Sequence, residues 1–311
     1  MAAKFFAKMV GLAKAEVTYG VDPTMTGAAD ACLFKNLNLT PLETEELDRD
    51  VVLSYFGKLP KVVACGWSRM SYDLEMAGSG TVAVAPAWGR HVLPCAFSET
   101  ITPVTGPVTY NPVSAAIGSM AHEFYLDGLK HQYLGGRANL SFKKQARQLP
   151  AFSLEFTSMY VAVADVANPT PTLTAWKDPE AVNKANTTFS LFGYTAVLES
   201  INLSLGNQVH YENRPNEEAV HIIPRQDVSG QLAIRADTVA AKDWWAIARA
   251  GTTGAAAIVH GSAANKKVQI DAPKAQLFRP RYRNANGIAL IEFDLKCGVN
   301  AGNDEVVITA L

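Results

Sequence analysis

Apolar and polar residues alternate along short stretches of this sequence, and matching stretches recur in the same order. "SRMSYDLEMA" (68–77) and "DVSGQLAIRA" (227–236) set Ser71, Leu74 and Met76 against Ser229, Leu232 and Ile234, a half-buried strand in each case. Earlier in each copy, "KNLNLTPLE" (35–43) faces "ESINLSLGN" (199–207), with Asn38-Leu39 opposite Asn202-Leu203. Later, "RANLSFKKQARQLPAFSLEF" (137–156) faces "KAQLFRPRYRNANGIALIEF" (274–293). Each is a strand pair, running from Leu140 to Phe156 and from Leu277 to Phe293 and turning at Pro150 and Gly287. Between these segments lie two hairpins. "AHEFYLDGLKHQYL" centres on Asp127-Gly128, the two-residue signal of a type I′ turn, while "AAIVHGSAANKKVQI" carries Gly261 and Asn265 in a longer connection. Ordered recurrence of this kind predicts a duplicated unit.

Each copy also holds one helix-period segment. In "TVAAKDWWAIARAG", Ala241, Trp244, Trp245 and Ala248 fall at i, i+3, i+4 and i+7, and Gly251 is the stop. In "APAWGRHVLPCAF", Trp88, Val92, Cys95 and Ala96 share a face, and Pro94 predicts a short or kinked helix. Residues 164–188, rich in Pro, Thr, Asn and Ala, show neither period and read as a surface connection. The pattern predicts a mainly β chain of two tandem antiparallel β-sandwich or barrel domains, each with one short helix. The expected division is an N-terminal arm (1–20), domain 1 (21–166), a linker (167–186) and domain 2 (187–311).

Composition narrows what such a chain does. Of 311 residues, 48% are hydrophobic and 18% charged, the range of folded proteins. The net charge of −1 argues against tight gripping of nucleic acid, which needs a surplus of cations to neutralise phosphates. Cys32, Cys65, Cys95 and Cys297 lack the close spacing of zinc sites or disulfide frameworks and read as free thiols. In "MAAKFFAKMVGLAKAE" lysines interleave with apolar residues at helical spacing, which excludes a signal-peptide core. No run approaches the ~20 apolar residues of a membrane span.

No catalytic constellation emerges, and the chain is expected to have neither enzymatic activity nor a cofactor. The tempting group, His122, Glu123, Asp127 and His131, falls on a hairpin whose alternation sends His122 and Glu123 to opposite faces, so solvated strand and turn positions are expected. The tryptophans of the helical segments read as core plugs.

The marked charge cluster is "LETEELDRD" (42–50), where Glu43, Glu45, Glu46, Asp48 and Asp50 stand against Arg49, followed by apolar Val52, Tyr55 and Phe56. At the matching place the second copy has "NQVHYENRPNEEAVHIIPRQ" (207–226), with Tyr211, Glu212, Arg214, Glu217 and Glu218. Two long arms, acidic and then apolar, are expected to form contacts between subunits. Edge strands are hazards unless sister molecules consume them, so a duplicated unit lets fewer chains close a ring.

The ordered set "TYGVDPTMTGA", "LNLTPLETEELDRD", "EMAGSGTVAVAPAWG", "LDGLKHQYLGGRANLSF", "VNKANTTFSLFGYTAVLESINLSLGNQVHYENR", "DTVAAKDWWAIARAGTTGA" and "AGNDEVVITAL" resembles the major tail tube proteins of long, non-contractile-tailed bacteriophages. The resemblance covers most of the chain and implies a virion protein, assembled in the host cytoplasm. It implies a homotrimeric ring with pseudo-sixfold symmetry, stacked into the tube through which double-stranded DNA passes. Tape-measure, tail terminator and tail tip proteins would be its partners, with no membrane involved. The competing expectation is a monomeric tandem β-sandwich binding module, for a glycan for instance. It would use Trp67, Trp88, Trp176, Trp244 and Trp245 as an aromatic platform.

Overall fold

A computed structural model describes residues 3–104 and 106–311. The chain is mainly β and antiparallel. The strands are β1 (Met9–Ala15), β2 (Lys35–Leu47), β3 (Val62–Glu75), β4 (Phe97–Ile101), β5 (Val108–Pro112) and β6 (Met120–Leu126). They continue with β7 (Leu129–Gln145), β8 (Ala151–Tyr160), β9 (Ala164–Asp165), β10 (Thr187–Leu191), β11 (Leu198–Ser204) and β12 (Gln208–Arg214). The last six are β13 (Glu217–Ile223), β14 (Ser229–Arg235), β15 (Thr253–His260), β16 (Val268–Ala285), β17 (Ile288–Cys297) and β18 (Val307–Ala310). Helices are few: α1 (Gly27–Asp30) and α2 (Trp244–Ala250).

The two halves of the chain follow one strand path. In the first, neighbours run β2-β3-β8-β7-β6-β1; in the second they run β11-β14-β17-β16-β15-β10. Alternation explains the layers. Met70, Tyr72 and Leu74 of β3 face the same core as Phe152, Leu154 and Phe156 of β8, while Arg69, Ser71, Asp73 and Glu155 line the opposite, polar face. In the second half Leu232, Ile234, Ile291, Phe293 and Leu295 repeat the core face. The long strands β7 and β16 each serve two layers, pairing β6 or β15 near their starts and β8 or β17 near their ends. A bulge at Gly135-Gly136 turns β7 between them. Gly135 has φ +63, and a Cβ on Gly136 would meet the Met120 carbonyl oxygen at 2.6 Å, so bulkier residues are excluded.

Two seams join the halves. β7 pairs β11 from Ser141↔Ser204 to Gln145↔Ser200. On the other side, β18 lies between β16 of the second half and β5 of the first, and β5 in turn pairs β4.

The pairing corrects the register expected from sequence. Asn38 pairs Ser71 and Asn202 pairs Gln231, so Ser71 corresponds to Gln231, not Ser229. Tyr72↔Leu154 then corresponds to Leu232↔Phe293, and Phe156 to Leu295. Leu140 has its counterpart in a bulge at Arg279-Pro280, beyond which Ser141 corresponds to Arg281. A two-residue slip preserves which side chains point inward, so alternation alone does not reveal it.

Local chemistry decides the ends. Asp127 and Gly128 both have positive φ between β6 and β7, as the type I′ turn requires, and Asn286-Gly287 does the same between β16 and β17. Asp243 caps α2 by accepting from the Ala246 amide at 2.9 Å, and Gly251 ends it in the left-handed region. The helix expected over 85–97 is instead two 3₁₀ turns, Gly89–His91 and Leu93–Cys95. Pro94 cannot supply the amide an α-helix needs, and Ala96 turns left-handed into β4. The helical spacing of the N-terminal segment, whose residues 1 and 2 lie outside the described residues, is likewise overridden at Met9–Ala15, which is β1, paired along β6 with Leu12 and Ala13 fully buried.

Candidate assembly surfaces

The long sheet that runs from β2 to β16 has an open edge at each end. β2 pairs only β3, and the Arg281–Ala285 end of β16 pairs only β17. Between them lies the polar face of the long sheet, on which several cations are paired with carboxylates. Arg281 Nε meets Glu292 at 3.1 Å and its Nη1 meets Asp294 at 3.3 Å; Arg283 meets Glu292 at 2.8 Å and Arg279 meets Asp294 at 3.4 Å. Arg69 holds Glu43 at 2.9 Å, and Lys296 holds Asp227 at 3.0 Å.

The two sequence-predicted arms are both β-hairpins, yet they are placed differently. The first is the far end of β2–β3. Glu43 lies opposite Trp67, and Glu45 opposite Cys65, whose thiol donates to it at 3.4 Å. Lys61 sits 3.4 Å from Glu46 and 4.0 Å from Asp48. Arg49 and Asp50 are exposed, and the tip presents Val52 and Phe56 wholly to solvent with Tyr55 largely so.

The second hairpin, β12–β13, folds back onto the first half. Val220 is fully buried; its amide donates to Tyr19 Oη at 2.5 Å and its carbonyl accepts from Arg137 Nη1 at 2.9 Å. Tyr211 stacks on Trp67 with ring centroids 5.3 Å apart and donates to Glu218 at 2.8 Å. Arg214 reaches Glu212 at 3.1 Å, and Glu217 lies 3.9 Å from His221. At its root Asn207 Nδ2 donates to the carbonyls of Cys95 and Ala138, at 3.0 and 3.1 Å. Arg225 donates to Glu305 Oε1 at 3.3 Å, and to Val113 O and Asn303 Oδ1 at 2.9 Å each. Sequence reasoning missed Tyr19, Arg137, Asn207 and Arg225, whose partners lie far away in the chain.

With this geometry in view, the sequence comparison decides the family. A profile described as phage tail tube protein matches residues 7–293. The chain belongs to the phage tail tube protein family. A search of curated proteins gives no significant match. Membership makes the chain a structural component of the virion that assembles into a tube. Among the described residues no helix is long and apolar enough to cross a membrane.

In this tail tube protein Asp127 takes the turn as expected, whereas His122 and Glu123 are not the solvated residues expected. His122 is fully buried and its Nε2 lies 2.9 Å from Tyr72 Oη, which lies 2.8 Å from His91 Nδ1; His91 Nε2 lies 3.5 Å from Cys32 Sγ. Burial, with Arg90 adding to it, pushes His122 down to about 3. Burial also drives His91 well below its ordinary range, helped by His122 and Arg90, and raises the Cys32 thiol to about 12. Glu123 is buried too, ion-paired with Lys130 and accepting from Tyr125 Oη at 2.7 Å. Among the described residues no three or more His, Cys, Asp and Glu side chains are placed to hold a metal. The tryptophans form no shared platform. Trp88 and Trp244 are buried, and Trp176 donates to Ala31 O at 3.0 Å. Trp67 pairs with Tyr211 and Trp245 with Tyr282.

Proposed function

We propose that three copies of this chain close one ring around a hollow axis, each supplying two of six pseudo-equivalent sectors, and that rings stack into a non-contractile tail tube for DNA ejection. The carrying observation is the repeated strand path. Within one chain, β7 of the first half pairs edge to edge with β11 of the second, while the matching edges β16 and β2 remain open. An open edge on each side is what a closed barrel of sister molecules consumes.

The polar face would then line the channel. Sliding DNA binds where cations can exchange for its counterions. Here Arg279, Arg281, Arg283 and Lys296 already face carboxylates, so adhesion to DNA is weakened by pairing rather than by an acidic excess. The apolar tip of the first hairpin (Val52, Tyr55, Phe56) supports contact with the next ring. Tape-measure, terminator and tip proteins, and assembly in the host cytoplasm, complete this reading.

The test is negative-stain microscopy with mass measurement on the purified chain, alongside a variant whose residues 48–61 are replaced by a two-residue turn. Three-chain rings and stacked tubes are expected from the parent. The variant, altered in no buried position, is expected to keep its fold and rings and to lose stacking. Monodisperse single-chain particles from the parent at every concentration would refute the reading.

A further inference from the structure

We propose that a groove on the second half receives the acidic root of the first hairpin of a second copy of this chain, in a register copied from the seam inside the chain. This rests on the ring reading above and adds to it the residues, the register and the reason the joint is selective.

The same groove exists on both halves. On the first it is lined by Asn38, Arg69, Ser71, Asn139, Glu155 and Thr157. On the second it is lined by Asn202, Ser229, Gln231, Phe278, Asp294 and Lys296, and these six correspond one to one through the strand register. The first groove is closed over by Asn207 and Val209, from the root of the second hairpin. Among the described residues no segment covers the second groove in this way.

Strand correspondence says what would. β11 pairs β7 as Ser204↔Ser141, Leu203↔Phe142 and Asn202↔Lys143. Because Arg281 corresponds to Ser141 and Thr40 to Ser204, the open edges would pair as Thr40↔Arg281, Leu39↔Tyr282 and Asn38↔Arg283. The ladder would stop at Pro280, which has no amide to donate. Asn207 and Val209 stand three and five residues beyond Ser204; three and five beyond Thr40 stand Glu43 and Glu45.

Charge has changed on both sides of this contact together. Inside the chain, neutral Asn207 and Val209 meet a groove lined by neutral Thr157, while Leu140 is buried in the core. In the open groove the corresponding positions are Lys296 and the Arg279-Pro280 bulge, and the incoming residues are Glu43 and Glu45. Neither side is neutralised alone. Arg279, Arg281 and Arg283 share the two carboxylates of Glu292 and Asp294, leaving one positive charge in surplus. On the first hairpin Glu43, Glu45, Glu46 and Asp48 have only Arg69 and Lys61 as ion-pair partners among the described residues. Such matched charges steer the right edges together and repel wrong pairings.

Charge exchange and cross-linking in the full-length chain test this. Arg279→Glu and Glu45→Lys each reverse an exposed charge, and each is expected to lower the ring-forming fraction about tenfold or more, with an unchanged melting temperature. The double exchange is expected to restore rings. In a Cys65→Ser background, Asn38→Cys with Arg283→Cys is expected to give chain-to-chain disulfides in assembled material, while Asn38→Cys with Asn284→Cys, one residue out of phase, is not. Rings from the parent with no rescue by the double exchange, or with cross-linking only in the shifted pair, would overturn the inference and leave the ring reading standing. A parent that never forms rings would sink both.

Discussion

Where the first half threads Cys32, His91, Tyr72 and His122 through its core, the second places Leu232 at the position of Tyr72 and Ala256 at that of His122. Their plugs differ as well. Trp88 sits beside two 3₁₀ turns and donates to Ala77 O at 2.7 Å; Trp244 opens a capped helix, and its indole nitrogen has no partner among the described residues. One strand path therefore tolerates a hydrogen-bonded polar core and an apolar one. Alternation and turn chemistry set the path; the contents of the core set how each half responds to conditions.

The largest effect should come from cutting what holds the halves together. Arg225 ties the root of the second hairpin to the loop after β5 and to Glu305, and both side chains of that ion pair are nearly buried. Arg225→Ala leaves the carboxylate buried and unpaired, a loss of about 3–5 kcal/mol. Calorimetry should show a correspondingly lower melting temperature, with the β7–β11 and β18–β5 seams still joining the halves.

Acid should sharpen the contrast. Unfolded imidazoles bind a proton near the ordinary 6.5, whereas folded His122 waits until about 3 and His91 is also held well below its ordinary value. Between those values the unfolded chain holds more protons, so stability falls as pH drops through that window and returns above 6.5. The second half buries one imidazole, His260, pushed down to about 4 chiefly by burial and then by Lys144. Amide exchange at pH 5 against pH 7 should therefore show greater loss of protection in β3 and β6 than in β14 and β15. Equal loss would contradict the comparison.

The smallest effect is a gain. Lys144, in the β7–β11 seam, is 1% exposed, its ammonium has no hydrogen-bond partner among the described residues, and burial pulls it down to about 7. Lys144→Met should stabilise the chain by about 1–3 kcal/mol. The gain should be full below pH 7 and fade as pH rises toward 10.5, where the unfolded lysine also loses its proton. Thermal melts across that range check it.

Much of the architecture was legible because its causes are local. Alternation located β2, β3, β14 and the long strand pairs, Asp127-Gly128 announced its turn, and Trp244 with Gly251 marked the helix. The misreadings share one cause, the dominance of distant partners. Residues 1–16 have helical spacing, yet β6 recruits part of them as a strand. His122 and Glu123 looked solvated because β1 on one side and Tyr72 on the other come from remote sequence. The matched hairpins were recognised, but nothing near 207–226 signals that Tyr19 and Arg137 capture one of them. Similarity between the copies hid the difference that separates a closed joint from an open one.

The placement of β18 also orders events during synthesis. A ribosome delivers β4 and β5 nearly two hundred residues before Val307–Ala310, the strand that fastens them to β16. Until it emerges, β5 has one flank bare and the second seam stays undone. A polypeptide cut short by a nonsense codon or a protease thus carries a visible defect, and the mature shape is available only to molecules translated through that strand.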